Sequence, residues 1–218
     1  MLGRAPPYSG AHALSRSAKK KMYFFNARAE GDLNKENDPA YPGPQGIVDK
    51  PSFRKPIRSQ RCLVPASCFL EGTTAKGLSE PFCVWLMDRH LFAFAGIYDT
   101  WKDPTTGASL NSFAIVTTSP NKLLQEVPHH RMPVILTRED EQRWMDSTLS
   151  LAEVTSMLRQ YPDDVMNAYP VTPEVKTSTG PGILNSVGEP IRPVVTYDVG
   201  AHPRRAPRNG NVTWSGNS

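Results

Sequence analysis

Apolar and polar positions alternate over short stretches through the middle of the chain, which is the pattern of half-buried β-strands. Turn-forming residues separate these stretches, so strands are predicted at 61–64, 68–70, 81–87, 91–98 and 111–117. Shorter strands are predicted at 22–25, 134–136 and 169–172. Asp88-Arg89-His90 has the composition of a tight turn and predicts a hairpin between two neighbouring strands.

Helical signals are concentrated in the second half of the chain, where helices are predicted over about 119–127, 137–145 and 150–160. The first is predicted to have Ser119 as its N-cap and Pro120 in its first turn. Each of the other two begins at a hydroxyl residue that is followed three positions later by an acid, as in a capping box. Many short strands with late helices predict an α+β fold, with a largely antiparallel sheet or open barrel flanked by helices.

The two ends of the chain differ from this middle part. Residues 1–21 are polar and predict an irregular N-terminal segment, whereas residues 200–218 are rich in Arg, Pro, Asn, Gly and Ser. Such a composition is typical of a disordered tail. The folded domain is therefore expected at 22–199, with a loop at 31–50 that is rich in Asn, Asp, Pro and Gly.

Composition limits the partners and the compartment. A formal charge of +4 and a pI near 9.0 permit an anionic partner such as nucleic acid without requiring one. Cys62, Cys68 and Cys83 form no C-x-x-C pair, which favours buried thiols in a reducing compartment over disulfides or a zinc site. No apolar run approaches the ~20 residues of a membrane span. We expect a cytoplasmic protein, with a monomer favoured, that needs no metal or other cofactor.

The most informative polar group of the chain is His129-His130-Arg131, which runs straight into the apolar residues 132–136. Burying imidazole and guanidinium groups costs free energy unless partners compensate for the lost water. A functional site is therefore predicted at this point. Histidine is the usual general acid or base near neutral pH, and a carboxylate held beside it could raise the proton affinity of either group.

Three further polar groups adjoin predicted strands. Asn26 and Arg28 fall on one face of an extended segment, because side chains alternate along a strand. Glu71 is a lone carboxylate after an apolar strand, and Thr117 and Thr118 end another strand in two hydroxyls. Each residue also has an ordinary explanation as a turn cap, a solvated acid or a surface ion pair. From these residues alone, a catalytic role and a structural role are both possible for each of them.

The order of these blocks and the residues in them resemble those of the SOS response-associated peptidase (SRAP) family, whose members handle abasic sites in single-stranded DNA. The resemblance runs over about residues 22–193 and includes Phe94-Ala95-Gly96-Ile97-Tyr98, Pro170-Val171-Thr172 and Asn185. It implies an SRAP-like α+β fold. In this family an N-terminal cysteine reacts with the abasic aldehyde through its α-amine and then its thiol, which gives a thiazolidine crosslink. An α-amine titrates near ~8, so a useful fraction is nucleophilic at physiological pH.

The resemblance also assigns roles to residues of this chain. Asn26, Glu71 and His129 become the catalytic candidates: Asn26 would position the amino-terminal residue, Glu71 would transfer protons, and His129 would assist formation or reversal of the Schiff base. His130 stands where the family often has Asp or Asn, so it ranks behind His129. The expected DNA-binding residues are Arg28, which would contact a phosphate, and the lining residues Arg131, Thr117 and Thr118.

The chain departs from the family in two places. Phe69-Leu70-Glu71-Gly72 keeps the carboxylate of the family's Phe-Tyr-Glu-Trp block but loses aromatic residues. The sequence begins Met1-Leu2-Gly3-Arg4, and no cysteine precedes Cys62. We therefore expect no thiazolidine from the chain as written, and we favour a truncated gene start over a true replacement of cysteine by leucine.

Three functional hypotheses follow. The leading one is an SRAP-type protein that binds single-stranded DNA with abasic sites, with possible autoproteolytic activity and with lyase-like chemistry impaired by the missing cysteine. The alternative is a non-catalytic homologue that binds single-stranded DNA and has lost its nucleophile. A metal-dependent nuclease built on His129 and His130 ranks third, because no carboxylate stands at a persuasive ligand spacing.

Overall fold

The structure is a computed structural model, and it describes residues 25–193. Its strands are β1 Asn26–Arg28, β2 Arg61–Ala66, β3 Phe69–Thr73, β4 Gly77–Leu86, β5 Phe92–Lys102, β6 Ser109–Thr118, β7 Met132–Pro133, β8 Ile135–Leu136 and β9 Met166–Pro170. Its α-helices are α1 Pro56–Ser59, α2 Lys122–Glu126, α3 Arg138–Met145 and α4 Leu151–Ser156. Single 3₁₀ turns occur at Gly46–Val48, Asp163–Val165, Pro173–Lys176 and Pro181–Leu184. The predicted α+β class is confirmed.

The larger sheet is curled, and a short segment enters between two of its strands. Its main strands run in the order β1-β6-β5-β2, with β1 parallel to β6 and the other neighbours antiparallel. Beyond the pair Gly96 and Ile115, β5 and β6 separate, and β7 pairs with β6 while β8 pairs with β5. Val134 bridges the gap, since its N–H donates to Val116 and its carbonyl accepts from Ala95.

The smaller sheet is antiparallel, in the order β3-β4-β9. The predicted hairpin at Asp88-Arg89-His90 is wrong, because β4 and β5 belong to different sheets and residues 87–91 cross from one to the other. Arg89 is buried in this crossing, where it donates to Glu141 at 2.9 Å and to the Leu136 carbonyl. A turn-like composition therefore marks a change of sheet here.

Two apolar cores lie on opposite faces of the curled sheet. One packs the buried residues of β1, β5 and β6 against α3, whose fully buried Trp144 donates its indole N–H to the carbonyls of Cys62 and Gly96. The other fills the space between the two sheets and is closed by α2. Its largest fully buried side chains include Phe92, Leu124 and Met132.

The structure confirms two of the three predicted helix N-caps. Thr137 and Ser150 cap α3 and α4 as predicted, and Ser150 forms a full capping box with Glu153. The predicted cap of α2 at Ser119 is wrong, since Asn121 accepts from the Leu124 N–H at 3.1 Å. Helix α4 ends at Ser156, short of the predicted residue 160.

Other expectations meet the structure only in part. The late strand is β9 at Met166–Pro170, earlier than the predicted 169–172. Of the predicted strand at 22–25 only Phe25 is described, and it lies in a bend. The segments predicted as irregular or disordered, 1–21 and 200–218, lie outside the described residues. Cys83 is buried, whereas the thiols of Cys62 and Cys68 are half-buried, and all three are free.

Within residues 25–193 no helix is long and apolar enough to cross a membrane. The same residues hold no cluster of three or more histidine, cysteine or acidic side chains arranged for a metal ion.

Candidate functional site

The segment 128–131 lies where the two sheets meet. It follows α2, whose last turn it continues, since the His129 N–H donates to the Leu124 carbonyl at 2.8 Å. Thr74, just past β3, donates both its N–H and its hydroxyl to the Pro128 carbonyl at 2.9 Å. Because Arg131 leads directly into β7, its neighbour across the ladder is the end of β6. The fold thus brings β3, β6 and this segment together.

The first pair at this junction joins Glu71 of β3 to His129. Glu71 Oε2 lies 3.1 Å from His129 Nε2, and His129 Nδ1 lies 2.6 Å from the Gly72 carbonyl oxygen. A carbonyl can only accept, so Nδ1 carries the ring proton and donates it to Gly72. In the neutral imidazole Nε2 is then an acceptor that faces the carboxyl group of Glu71.

Burial shifts the two pKa values in opposite senses. It raises the pKa of Glu71 to about 7, because the carboxylate loses water beside its cross-strand neighbour Phe82. Burial also lowers the pKa of His129; the Gly72 carbonyl opposes this, and the neighbouring His130 and Arg131 reinforce it. The carboxyl group of Glu71 therefore exists in both protonation states near neutral pH, and its protonated form can donate to His129 Nε2. Such a pair can both give and take a proton.

A glycine is required beside this pair. A β-carbon placed on Gly72 would lie 2.1 Å from the backbone carbon of Gly77, far inside contact distance. The ladder between β3 and β4 also shifts register between Gly72 and Thr73. The close approach of the two backbones at this bulge fixes the position of the Gly72 carbonyl. This carbonyl accepts from His129 Nδ1 and so orients the ring.

His130 is the exposed neighbour of this pair. Its ring centroid lies 5.0 Å from that of His129, and the two planes are inclined by 34°. Its Nδ1 lies 3.1 Å from the Thr74 hydroxyl, which already donates its only proton to Pro128. His130 Nδ1 is therefore the donor, and its Nε2 remains an acceptor at the surface.

A second network lies on the other side of Arg131, and its centre is the fully buried Glu30. Arg131 Nη2 donates to Glu30 Oε2 at 2.9 Å and to the carbonyl and hydroxyl oxygens of Thr117 at 2.7 and 3.1 Å. Glu30 Oε1 accepts from the Thr118 hydroxyl at 2.8 Å and the Ser119 N–H at 3.1 Å. Burial opposes ionisation of Glu30, but Arg131 and these donors outweigh it and lower its pKa.

Arg28 joins the same network through the loop that follows β1. Its Nη2 donates to the Asn34 carbonyl at 2.7 Å and to Asn37 Oδ1 at 2.5 Å. Arg131 Nη1 reaches the same Asn37 oxygen at 3.4 Å. The two guanidinium groups are therefore neighbours, bridged by one neutral acceptor.

Asn26 stands apart from both groups. Ala27 between Asn26 and Arg28 is fully buried, so the alternation expected along this segment is present. Asn26 is exposed at the start of β1, and within the described chain its side chain makes no hydrogen bond. With Arg28, Lys50 and Phe53 it lines an open cavity of about 360 Å³.

The structure thus sorts the candidate residues into a proton-sharing pair, Glu71 and His129, and a buried arginine network that contains Thr117, Thr118, Arg28 and Arg131. Their functional roles remain predictions. Sequence reasoning missed three partners: Glu30, Asn37 and Thr74. Only Glu30 had a signal, as a charged residue inside the block that opens with Asn26.

Comparison with known proteins identifies the family. The family model described as SOS response associated peptidase (SRAP) matches residues 44–178, which is more than half of the chain. The chain belongs to the SRAP family.

Two Bacillus subtilis relatives support the assignment. "Abasic site processing protein YoqW" is 39% identical over 144 residues, which cover 64% of this chain and 63% of the relative. "Abasic site processing protein YobE" is 38% identical over 128 residues and 58% of each chain. This SRAP chain therefore spans less than two thirds of the relatives it matches.

A crystal structure of a Bacteroides thetaiotaomicron protein superposes with a TM-score of 0.64 at 34% identity, over 74% of this chain and 65% of the other. The SRAP fold therefore recurs in a solved structure.

Proposed function

We propose that this SRAP chain acts on abasic sites in single-stranded DNA and that Glu71 and His129 move the protons of the reaction. The observation that carries the proposal is the 3.1 Å contact between a carboxyl group with a pKa of about 7 and a neutral imidazole. Groups poised near the working pH are efficient general acids and bases. The two "abasic site processing" relatives from Bacillus subtilis support the choice of substrate.

The chemistry of an abasic site suits such a pair. Its ring-opened sugar carries an aldehyde, and a primary amine adds to the carbonyl carbon to form a carbinolamine. Loss of the hydroxyl group as water then needs a proton donor, and the nitrogen must give up a proton to form the imine. The protonated carboxyl of Glu71 supplies the first proton, and its pair with His129 Nε2 can accept the second.

The nucleophile is the open part of this proposal. The family uses the α-amine and thiol of an N-terminal cysteine, whereas the sequence as given has no cysteine before Cys62. An amine alone gives a Schiff base and water, and no thiazolidine can close without the thiol. The alternative function is therefore a homologue that binds single-stranded DNA, has lost its nucleophile and does no covalent chemistry.

Borohydride trapping on abasic single-stranded DNA tests the proposal. We expect the full chain to give a trapped adduct, and Glu71→Gln to slow its formation by about a hundredfold, a typical loss for a general acid–base residue. Glu80→Gln on the neighbouring strand is the matched control, because Glu80 is exposed and should leave the rate unchanged.

Binding measured in parallel separates the hypotheses. Salt-sensitive binding to the single strand without any trapped adduct would favour the non-catalytic alternative. Absence of binding at low salt would contradict both functions. An adduct that forms equally fast with Glu71→Gln would remove the assigned role of the pair.

A further inference from the structure

The loop that follows β1 leaves the fold and returns to it at nearly the same point. The Ile47 N–H donates to the Ala29 carbonyl at 2.9 Å, so residues 31–46 form an excursion with a closed neck. Gly31 has a φ of +60°, and a β-carbon there would lie 2.9 Å from the Gly46 carbonyl carbon. Loops whose ends meet in this way are of the Ω type, and they often carry function. We call residues 31–46 the Ω loop.

The Ω loop is fixed to the body of the protein at several points. Gln45 Nε2 donates to the Leu158 carbonyl at 3.3 Å, and Gln160 Nε2 donates to the Pro39 carbonyl at 2.8 Å. Inside the loop, Asn34 Oδ1 accepts from the Asp38 N–H at 2.8 Å and its Nδ2 donates to the Asp38 carbonyl at 3.0 Å. These contacts hold residues 34–38 in one conformation against the arginine network.

Asn37 is the residue that the Ω loop presents to both arginines. Its φ of +57° lies in the left-handed region, which asparagine tolerates better than most residues. Its Oδ1 accepts from Arg28 at 2.5 Å and from Arg131 at 3.4 Å. The amide thus brings two like charges together without neutralising either, and Glu30 is the acid paired with Arg131.

Arg28 keeps unused donors in this arrangement. Its Nη2 serves the Ω loop, whereas its Nη1 makes no hydrogen bond within residues 25–193, and its buried Nε is also unpaired there. Arg28 is half-buried, and Arg131 behind it is buried. A phosphate oxygen is the natural acceptor for such a guanidinium, because charge-assisted bonds to phosphate are strong and directional.

We propose that Asn37 is a positioning residue, which holds Arg28 against Arg131 so that Arg28 can bind a backbone phosphate of single-stranded DNA. This inference rests on the proposed DNA-binding function. The neutral amide matters as much as the contact, since a carboxylate would hold the two arginines equally well but cancel a charge that the phosphate needs.

Three variants of the full chain test this role with an oligothymidylate as the probe. Asn37→Gly fits the left-handed backbone and removes only the amide. Asn37→Asp keeps the shape and the acceptor but adds a negative charge. Tyr41→Phe is the control, because it removes a hydrogen bond to the Pro44 carbonyl elsewhere in the Ω loop and does not alter the charge.

We expect Asn37→Gly to bind the oligomer about tenfold more weakly at low salt, the effect of losing one charge-assisted contact. The slope of log affinity against log salt should become shallower by about 0.7, the value for one phosphate of a single strand. Asn37→Asp should also bind more weakly, yet its Tm should equal or exceed that of the unmodified chain. Tyr41→Phe should match the unmodified chain in affinity and slope.

A merely structural role would make affinity follow Tm, so weaker binding with a shallower salt slope in an Asn37→Gly variant of nearly unchanged Tm supports positioning. Weak binding by a fully stable Asn37→Asp shows in addition that the amide must be neutral. Affinity and salt slope unchanged in Asn37→Gly would overturn the inference while leaving the proposed function intact. If the unmodified chain failed to bind the oligomer at low salt, the inference and the proposed DNA binding would fall together.

Discussion

Two glutamates flank the segment 129–131, and the fold gives them opposite properties. Glu30 is fully buried and ionised, with Arg131, two N–H or O–H donors and the backbone around it. Glu71 is about a quarter exposed, and its nearest polar partner is the neutral ring of His129. Glu30 exposes less of its side chain than Glu71, yet the pKa of Glu30 is lowered and that of Glu71 is raised.

Both acids lose water, and the partners that each one receives account for the difference in charge. Glu30 receives a guanidinium and two donors, which together outweigh its loss of water. Glu71 loses water and receives no cation, so its proton stays near neutral pH. An acid built like Glu30 holds a structure together, whereas an acid built like Glu71 is suited to proton transfer.

Removing the charge of Glu30 should have the largest effect. Glu30→Gln leaves the buried Arg131 without its carboxylate, and losing one partner of a buried ion pair typically costs about 3–5 kcal/mol. Urea unfolding at pH 7 measures this loss in the free energy of unfolding. Glu36→Gln, an exposed change in the adjoining Ω loop, should stay within about 0.5 kcal/mol. A loss below about 1 kcal/mol for Glu30→Gln would contradict the structural role.

The two acids should also give opposite pH dependences. Glu30 has a folded pKa below its unfolded value of 4.5, so its stabilisation is present above that pH and is lost as the pH falls through the folded pKa. Glu71 titrates at about 7 when folded, so the folded chain binds an extra proton between 4.5 and 7. Stability due to Glu71 therefore falls as the pH rises through this window.

Glu71→Gln should remove the loss of stability that Glu71 causes as the pH rises from 4.5 to 7. We expect the variant to match the unmodified chain near pH 4 and to be more stable near pH 8 by roughly 1–3 kcal/mol, from the ~1.4 kcal/mol carried by each pKa unit. Urea unfolding at both pH values measures the difference. Glu80→Gln, the exposed control, should give the same offset at both. A Glu71→Gln offset that did not change with pH would show that folding does not raise the pKa of Glu71.

Local sequence patterns predict some features of this fold and site, whereas features that depend on distant partners cannot be predicted from them. Strand periodicity and capping signals are local, so most strands, two helix caps and the α+β class were predictable. The change of sheet at 87–91 depends on Arg89 finding partners about 50 residues away, which no local pattern encodes. The site followed the same rule: the resemblance located Glu71 and His129, but the bridge from Asn37 to two arginines exists only once the Ω loop has closed.

His130 should have the smallest effect of the residues in this segment. It is exposed, and it contributes one hydrogen bond to Thr74 and a tilted ring contact to His129. His130→Asn should change the free energy of unfolding by less than about 0.5 kcal/mol, as surface substitutions usually do. Because His130 is among the groups that lower the pKa of His129, the variant should raise that pKa slightly.

Titration of the His129 ring by NMR in His130→Asn measures this shift, with the unmodified chain as reference. A small upward shift with unchanged stability would place His130 outside both networks, as a surface neighbour that tunes His129. A loss of stability near that of Glu30→Gln would instead join His130 to the buried arginine network. His130 would then belong with Glu30 and Arg131, and only Glu71 and His129 would remain in the proton-sharing pair.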